Sequence, residues 1–176
     1  MNFARGTGLL SLGLISFFIL WGCHDNNCGP GDSCYCAGGD NCFFDCGDHC
    51  HQACVSLKNC GSVCGDDCSL DCTNMDTCST SCDSHCSLTC DQMQQCSAIC
   101  GQDCQVSCSN LTDCEARVGA GSHVDCNSLS HCRVWCSGAC TVTCQGLNPG
   151  DCDVKCLDGS APTTCPGGLA CGACTP

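Results

Sequence analysis

The chain has 176 residues, 31 of them cysteine, and a formal net charge of −13. Leu, Ile, Phe and Trp are too scarce to offset the entropy of ordering such a chain by apolar burial, so it needs covalent or metal staples. Beyond Arg5 the only basic residues are Lys58, Arg117, Arg133 and Lys155, which excludes nucleic acid and anionic membrane surfaces as partners, since both require clustered Lys and Arg.

Residues 1–22 read as an export signal: Arg5 supplies the positive start, and Leu9 to Trp21 is an uncharged apolar run, short for a membrane span. The run ends in Leu20-Trp21-Gly22-Cys23, which resembles the bacterial lipobox. That resemblance implies lipid attachment at Cys23 and a membrane partner reached through the lipid. Ordinary secretion, with Cys23 in a disulfide, is the other reading of the same residues. Setting Cys23 aside leaves thirty cysteines, an even number suited to fifteen disulfides in an oxidising compartment.

Residues 23–41 form the tether and N-terminal cap, a Gly- and Asp-rich stretch holding Cys28, Cys34 and Cys36, either a partial first coil or a linker from the lipid. Residues 42–149 are the repeat region. From Cys42 to Cys144 the pattern CxxxCxxxCxxxCxxxxx recurs every 18 residues, and every cysteine from Cys28 to Cys156 has an even number. Numbering each repeat from its first cysteine as 0, the others fall at +4, +8 and +12. Shared parity puts all four on one face of extended chain. Position +10 holds Leu70, Leu88, Val106, Val124 and Val142, with Gln52 in the first repeat, so +8 to +12 is a strand with an apolar inward face.

Between +4 and +8, Gly47, Gly65, Gly101 and Gly119 at +5 with neighbouring Asp read as a turn in which glycine tolerates positive φ. The longer gap back to the next repeat carries one apolar plug at +15: Leu57, Met75, Met93, Leu111, Leu129 and Leu147. The predicted fold is all-β, a disulfide-rich β-solenoid of 18-residue coils with two facing parallel sheets. Residues 150–176 form a disulfide-bound C-terminal cap, entered through a Pro149-Gly150 insertion that shifts register by two and keeps parity.

In a flat coil +4 faces +8 and 0 faces +12. The repeat starting at Cys114 has Val118 and Ser122 in place of the +4 and +8 cysteines, so those two positions were lost together. Pairing within each coil leaves no thiol orphaned. The expected inner bonds join Cys46 to Cys50, Cys64 to Cys68, Cys82 to Cys86, Cys100 to Cys104 and Cys136 to Cys140. The expected outer bonds join Cys42 to Cys54, Cys60 to Cys72, Cys78 to Cys90, Cys96 to Cys108, Cys114 to Cys126 and Cys132 to Cys144. Partners for Cys28, Cys34, Cys36, Cys152, Cys156, Cys165, Cys171 and Cys174 stay open.

With these features in view, the chain resembles cysteine-repeat bacterial lipoproteins of the myxobacterial type, over roughly residues 1–156. The resemblance implies a lipid anchor and a destination at the outer membrane, periplasm or cell surface, and it implies no activity. In architecture the coils are similar to disulfide-cored β-solenoids such as insect antifreeze proteins, although an outward Thr-x-Thr occurs only at Thr141 and Thr143. The reading is therefore a rigid structural or binding module, with no cofactor and no metal. An outward +3 column with Val63, Ile99 and Trp135 is the candidate surface for a protein or glycan partner.

Thirty thiolates with six histidines would suit Zn²⁺ or Cu⁺ sequestration, but CxxxC dominates over the CxC and CxxC spacings that metal-cluster chains favour. An ice-binding or adhesive surface is the third reading. A helical arrangement is disfavoured by the Gly, Asn, Ser, Thr and Asp that fill the intervening positions. The row Asp48, Asp66, Asp67, Asp83 and Asp103 reads as a solvated edge rather than a Ca²⁺ site. The histidines read as forming no single column, and no catalytic constellation has supporting context, so the chain is not expected to be an enzyme.

Overall fold

The computed structural model describes residues 27–148 and 150–174. Cys23, with the export signal, lies outside the described residues. The strands are β1 (Asn27–Cys28), β2 (Ser33–Cys46), β3 (His51–Cys64), β4 (Ser69–Cys82), β5 (Ser87–Cys100), β6 (Gln105–Ser109), β7 (Asp113–Val118), β8 (His123–Asn127), β9 (His131–Cys136), β10 (Cys140–Gln145), β11 (Cys152–Cys156), β12 (Thr163–Cys165) and β13 (Gly168–Cys171). They form an all-β, disulfide-rich solenoid of about seven turns.

Register follows the sequence repeat. Each coil pairs in parallel with the next at an offset of 18 residues, as in Cys54↔Cys72 and Cys60↔Cys78. After the insertion the offset becomes 20, with Cys152↔Cys132 and Val154↔Val134. Two extra residues preserve the side-chain alternation, so Val154 still faces inward.

Each of β2 to β5 serves both sheets because it bends in its middle. Six residues of straight strand would span about 20 Å, yet the Cα atoms of Cys54 and Cys60 lie 6.3 Å apart. At this wide corner +14 sits at positive φ, as in Ser56, Asn74, Gln92, Asn110 and Ser128. The tight corner reverses the chain in four residues, with 6.4 Å between the Cα atoms of Cys64 and Cys68. There the positive φ falls at +7, on His49, Asp67, His85 and Asp103. Asp, Asn and His enter this region more readily than most side chains.

The +5 glycines have a different role from the expected one, since none has positive φ. A Cβ on Gly101 would run into the carbonyl of Asp83, and one on Gly119 into the carbonyl of Gly101. Glycine is required at Gly101 and Gly119 by the close stacking of successive tight corners.

The core is a thin layer of sulfur and small apolar groups. The +15 plugs Leu57, Met75, Met93, Leu111 and Leu129 are buried, as are Leu70, Leu88, Val106, Val124 and Val142 at +10. Gln52, the polar exception at +10, is buried and accepts a hydrogen bond from the Ser62 hydroxyl across the core.

Residues 27–41 build a first coil, with Ser33 to Ala37 pairing onto His51 to Val55. At the other end β13 runs antiparallel to β10, and β12 antiparallel to β13. This hairpin covers a sheet edge that would otherwise recruit another chain.

Candidate functional surface

Fifteen disulfides take up all thirty cysteines from Cys28 to Cys174. The tight-corner bonds are Cys46–Cys50, Cys64–Cys68, Cys82–Cys86, Cys100–Cys104 and Cys136–Cys140, the partners that the spacing predicts. The outer bonds differ. Cys42 bonds Cys36 and not Cys54, and Cys54 bonds Cys60. Cys72–Cys78, Cys90–Cys96, Cys108–Cys114 and Cys126–Cys132 continue the series, and Cys144 bonds Cys152. Each outer bond thus crosses the wide corner into the next coil and does not span its own coil.

The missing cysteines explain why the expected outer pairing failed. Loss of +4 and +8 removes one tight-corner bond and leaves the outer column untouched, so it is compatible with either outer pairing. The cap is closed by Cys156–Cys171 and Cys165–Cys174, and the first coil by Cys28–Cys34.

Five groups of three cysteines have sulfurs within 4.8 Å of one another, for example Cys64, Cys68 and Cys82. Every member is in a disulfide, so the arrangement offers no thiolate to a metal, and metal sequestration is not favoured. At the surface, His49 and His85 share the +7 column with Asp67 and Asp103, while His51 and His123 stand at +9. His49 Nε2 lies 3.6 Å from Asp67 Oδ2, and His85 Nε2 lies 3.8 Å from Asp103 Oδ2. All four are more than half exposed, where such pairs contribute little.

The two outward faces differ. The back face, carrying +9 and +11, is polar and cross-linked by side chains: His51 Nδ1 and Ser69 Oγ share a hydrogen bond of 2.7 Å, as do His123 Nδ1 and Thr141 Oγ1. The front face carries +1 and +3, with Val63, Ser81, Ile99, Arg117 and Trp135 in one row of paired positions. Val63 and Ile99 are exposed, but Ser81 stands between them. Trp135 belongs to a different setting, half-buried under the Arg117 guanidinium at 5.2 Å from its ring centre. Arg133 donates to Glu115 at 2.6 Å beside it.

Phe43, at +1 and so outside the +3 column, completes the apolar part. Its ring lies against Gly61, close enough to collide with a Cβ there, and it is exposed like Val63 and Ile99. The signal was the lone glycine in a +1 column otherwise filled by side chains. From Phe43 to Ile99 the outward front-face positions hold Phe, Val, Ile, Gly and Ser, with Asp45 the one charge.

The enclosed cavity between Gln52, Ser62 and Thr80 measures only about 10 Å³, and the larger depressions, one at the wide corner by Leu57, Lys58 and Met75 and one under the cap by Cys144, Leu147 and Leu169, are open to solvent at about 310 Å³ each. Compared with known families, curated proteins and solved structures, the chain matches none of them.

Proposed function

We propose that the chain is an exported, lipid-anchored module of the bacterial cell envelope, a rigid rod whose front face around Phe43, Val63 and Ile99, with Asp45 its one charge, meets a protein or glycan partner. The observation that carries this reading is the complete pairing of thirty cysteines into a two-faced rod with flat outward rows. So many disulfides suit an oxidising compartment outside the cytoplasm. The flat rows suit contact with another surface better than enclosure of a small substrate. Cys23 supplies the attachment point through its lipobox-like context.

The test is metabolic labelling with a fatty acid. The wild-type chain should take up label and sediment with membranes, and Cys23→Ala should lose the label and appear in the exported soluble fraction. Equal labelling of both, or retention of the wild type in the cytoplasm, overturns the reading.

A further inference from the structure

The tight-corner disulfides are close neighbours. Cys46, Cys50 and Cys64 have their sulfurs within 4.8 Å of one another, as do Cys64, Cys68 and Cys82, and then Cys82, Cys86 and Cys100. Eight sulfurs from Cys46 to Cys104 therefore form one column across four coils, with each bond abutting the next. The column stops there, because the following coil presents Val118 and Ser122. Both are buried, and the Ser122 hydroxyl accepts the Cys104 N–H at 3.1 Å and reaches the Gly101 carbonyl at 3.4 Å.

We infer that these four disulfides form a single thiol–disulfide relay, in which a thiol created at one end migrates along the column and is halted by Val118 and Ser122. The step is an exchange. The Cys50 thiolate attacks Cys64 Sγ, the Cys50–Cys64 bond forms, the Cys64–Cys68 bond breaks, and Cys68 leaves as thiolate. Cys68 then attacks Cys82, releasing Cys86, and Cys86 attacks Cys100, releasing Cys104. Each step exchanges one S–S bond for another, so the number of thiols is conserved and no oxidant or reductant is consumed. Entry from the fully oxidised chain takes one equivalent of an external dithiol, which is oxidised to its disulfide as one bond of the column becomes two thiols. Rates follow the thiolate fraction, so exchange quickens toward mildly alkaline pH and takes minutes to hours uncatalysed.

The relay has a mapped signature. In full-length Cys46→Ser the column has an odd number of sulfurs and one thiol. After several hours at mildly alkaline pH, trapping with a maleimide in acid should find that thiol shared among Cys50, Cys68, Cys86 and Cys104, lowering the label on Cys50 about fourfold if the isomers are equal in energy. Peptides joined as Cys50–Cys64, Cys68–Cys82 and Cys86–Cys100 should accompany it, with no label at Cys140. Label confined to Cys50 overturns the inference, and so does label spread over both corners, which would mean general scrambling. Should that variant fail to fold, the wild type given one equivalent of dithiothreitol provides the same reading: the peptides Cys50–Cys64, Cys68–Cys82 and Cys86–Cys100 support the relay, and tight-corner peptides confined to Cys46–Cys50, Cys64–Cys68, Cys82–Cys86 and Cys100–Cys104 refute it. Adding Val118→Cys and Ser122→Cys to the variant should let label pass to Cys140, and its arrest at Cys104 would count against the inference.

Discussion

At the tight corner bonded cysteines are four residues apart and the column is interrupted at Val118 and Ser122; at the wide corner they are six apart, eight where the insertion falls, and the column runs unbroken from Cys36–Cys42 to Cys144–Cys152. Both columns admit two pairings, because in a coil that rises as it turns, each cysteine has a neighbour below and a neighbour above. The alternative for the wide corner is the pairing expected from the sequence, Cys42 with Cys54 and so on to Cys132 with Cys144. Loop closure barely separates them: a six-residue closure contributes about 2.4 kcal/mol in the chain-entropy model and a twelve-residue closure about 2.9. Seven short closures and six long ones come out within about 1 kcal/mol of each other. The decision therefore rests on the ends. The observed pairing uses Cys36 and Cys152, whereas the alternative strands them at opposite ends of the rod.

The sharpest way to break this comparison is at the wide corner, where Cys72 and Cys78 are buried. Replacing both with Ala should lower stability by about 4 kcal/mol, combining loop release with a cavity in the core. In the single variant Cys78→Ala the exposed thiol should map to Cys72; finding it at Cys90 would restore the pairing expected from the sequence. The matching change at the tight corner, Cys82→Ala with Cys86→Ala, should cost about 2 kcal/mol, since it reproduces what Val118 and Ser122 already do and Cys82 is only half-buried. Guanidinium unfolding of the two double variants would expose an error if the tight-corner loss proved the larger.

Gln92 gives a milder test. It holds φ 55 at the wide corner, a region where a long side chain is disfavoured, so Gln92→Gly should raise stability by about 0.5 to 1 kcal/mol. A lower melting temperature would mean that its side chain contributes more than the backbone strain removes. The smallest effect belongs to Asp91 beside it. Hydrogen bonds from Ser109, then Asn110, hold its carboxyl below the ordinary value. A depressed folded-state pKa gives stability that is present above the unfolded value and lost as pH falls through the folded one. Acid titration of stability should therefore flatten slightly in Asp91→Asn below the usual carboxylate range, and an unchanged profile would remove Asp91 from the account.

Much of the architecture was legible in the chain because side-chain alternation has a period of two and the repeat has an even length. Those two facts put Cys, Leu70, Val106 and Val142 inward and carry Val154 past the insertion without error. The tight-corner bonds were legible for a similar reason: four residues with a turn between them leave few other partners, and the loss at Val118 and Ser122 removes both members together. The exposed row of Val63 and Ile99 also followed from parity, whereas Phe43 became part of it only through its packing against Gly61.

What the tertiary structure alone decided was everything that depends on the rise of one coil onto the next. That rise makes Cys60 the partner of Cys54, requires glycine at Gly101 for close approach rather than for φ, and moves the left-handed residues to +7 and +14. It also separates Trp135, covered by Arg117, from the open apolar row. A sequence pattern specifies which way a side chain points along its own strand. Distances between coils depend on stacking, and stacking chose among partners that the pattern had left equivalent.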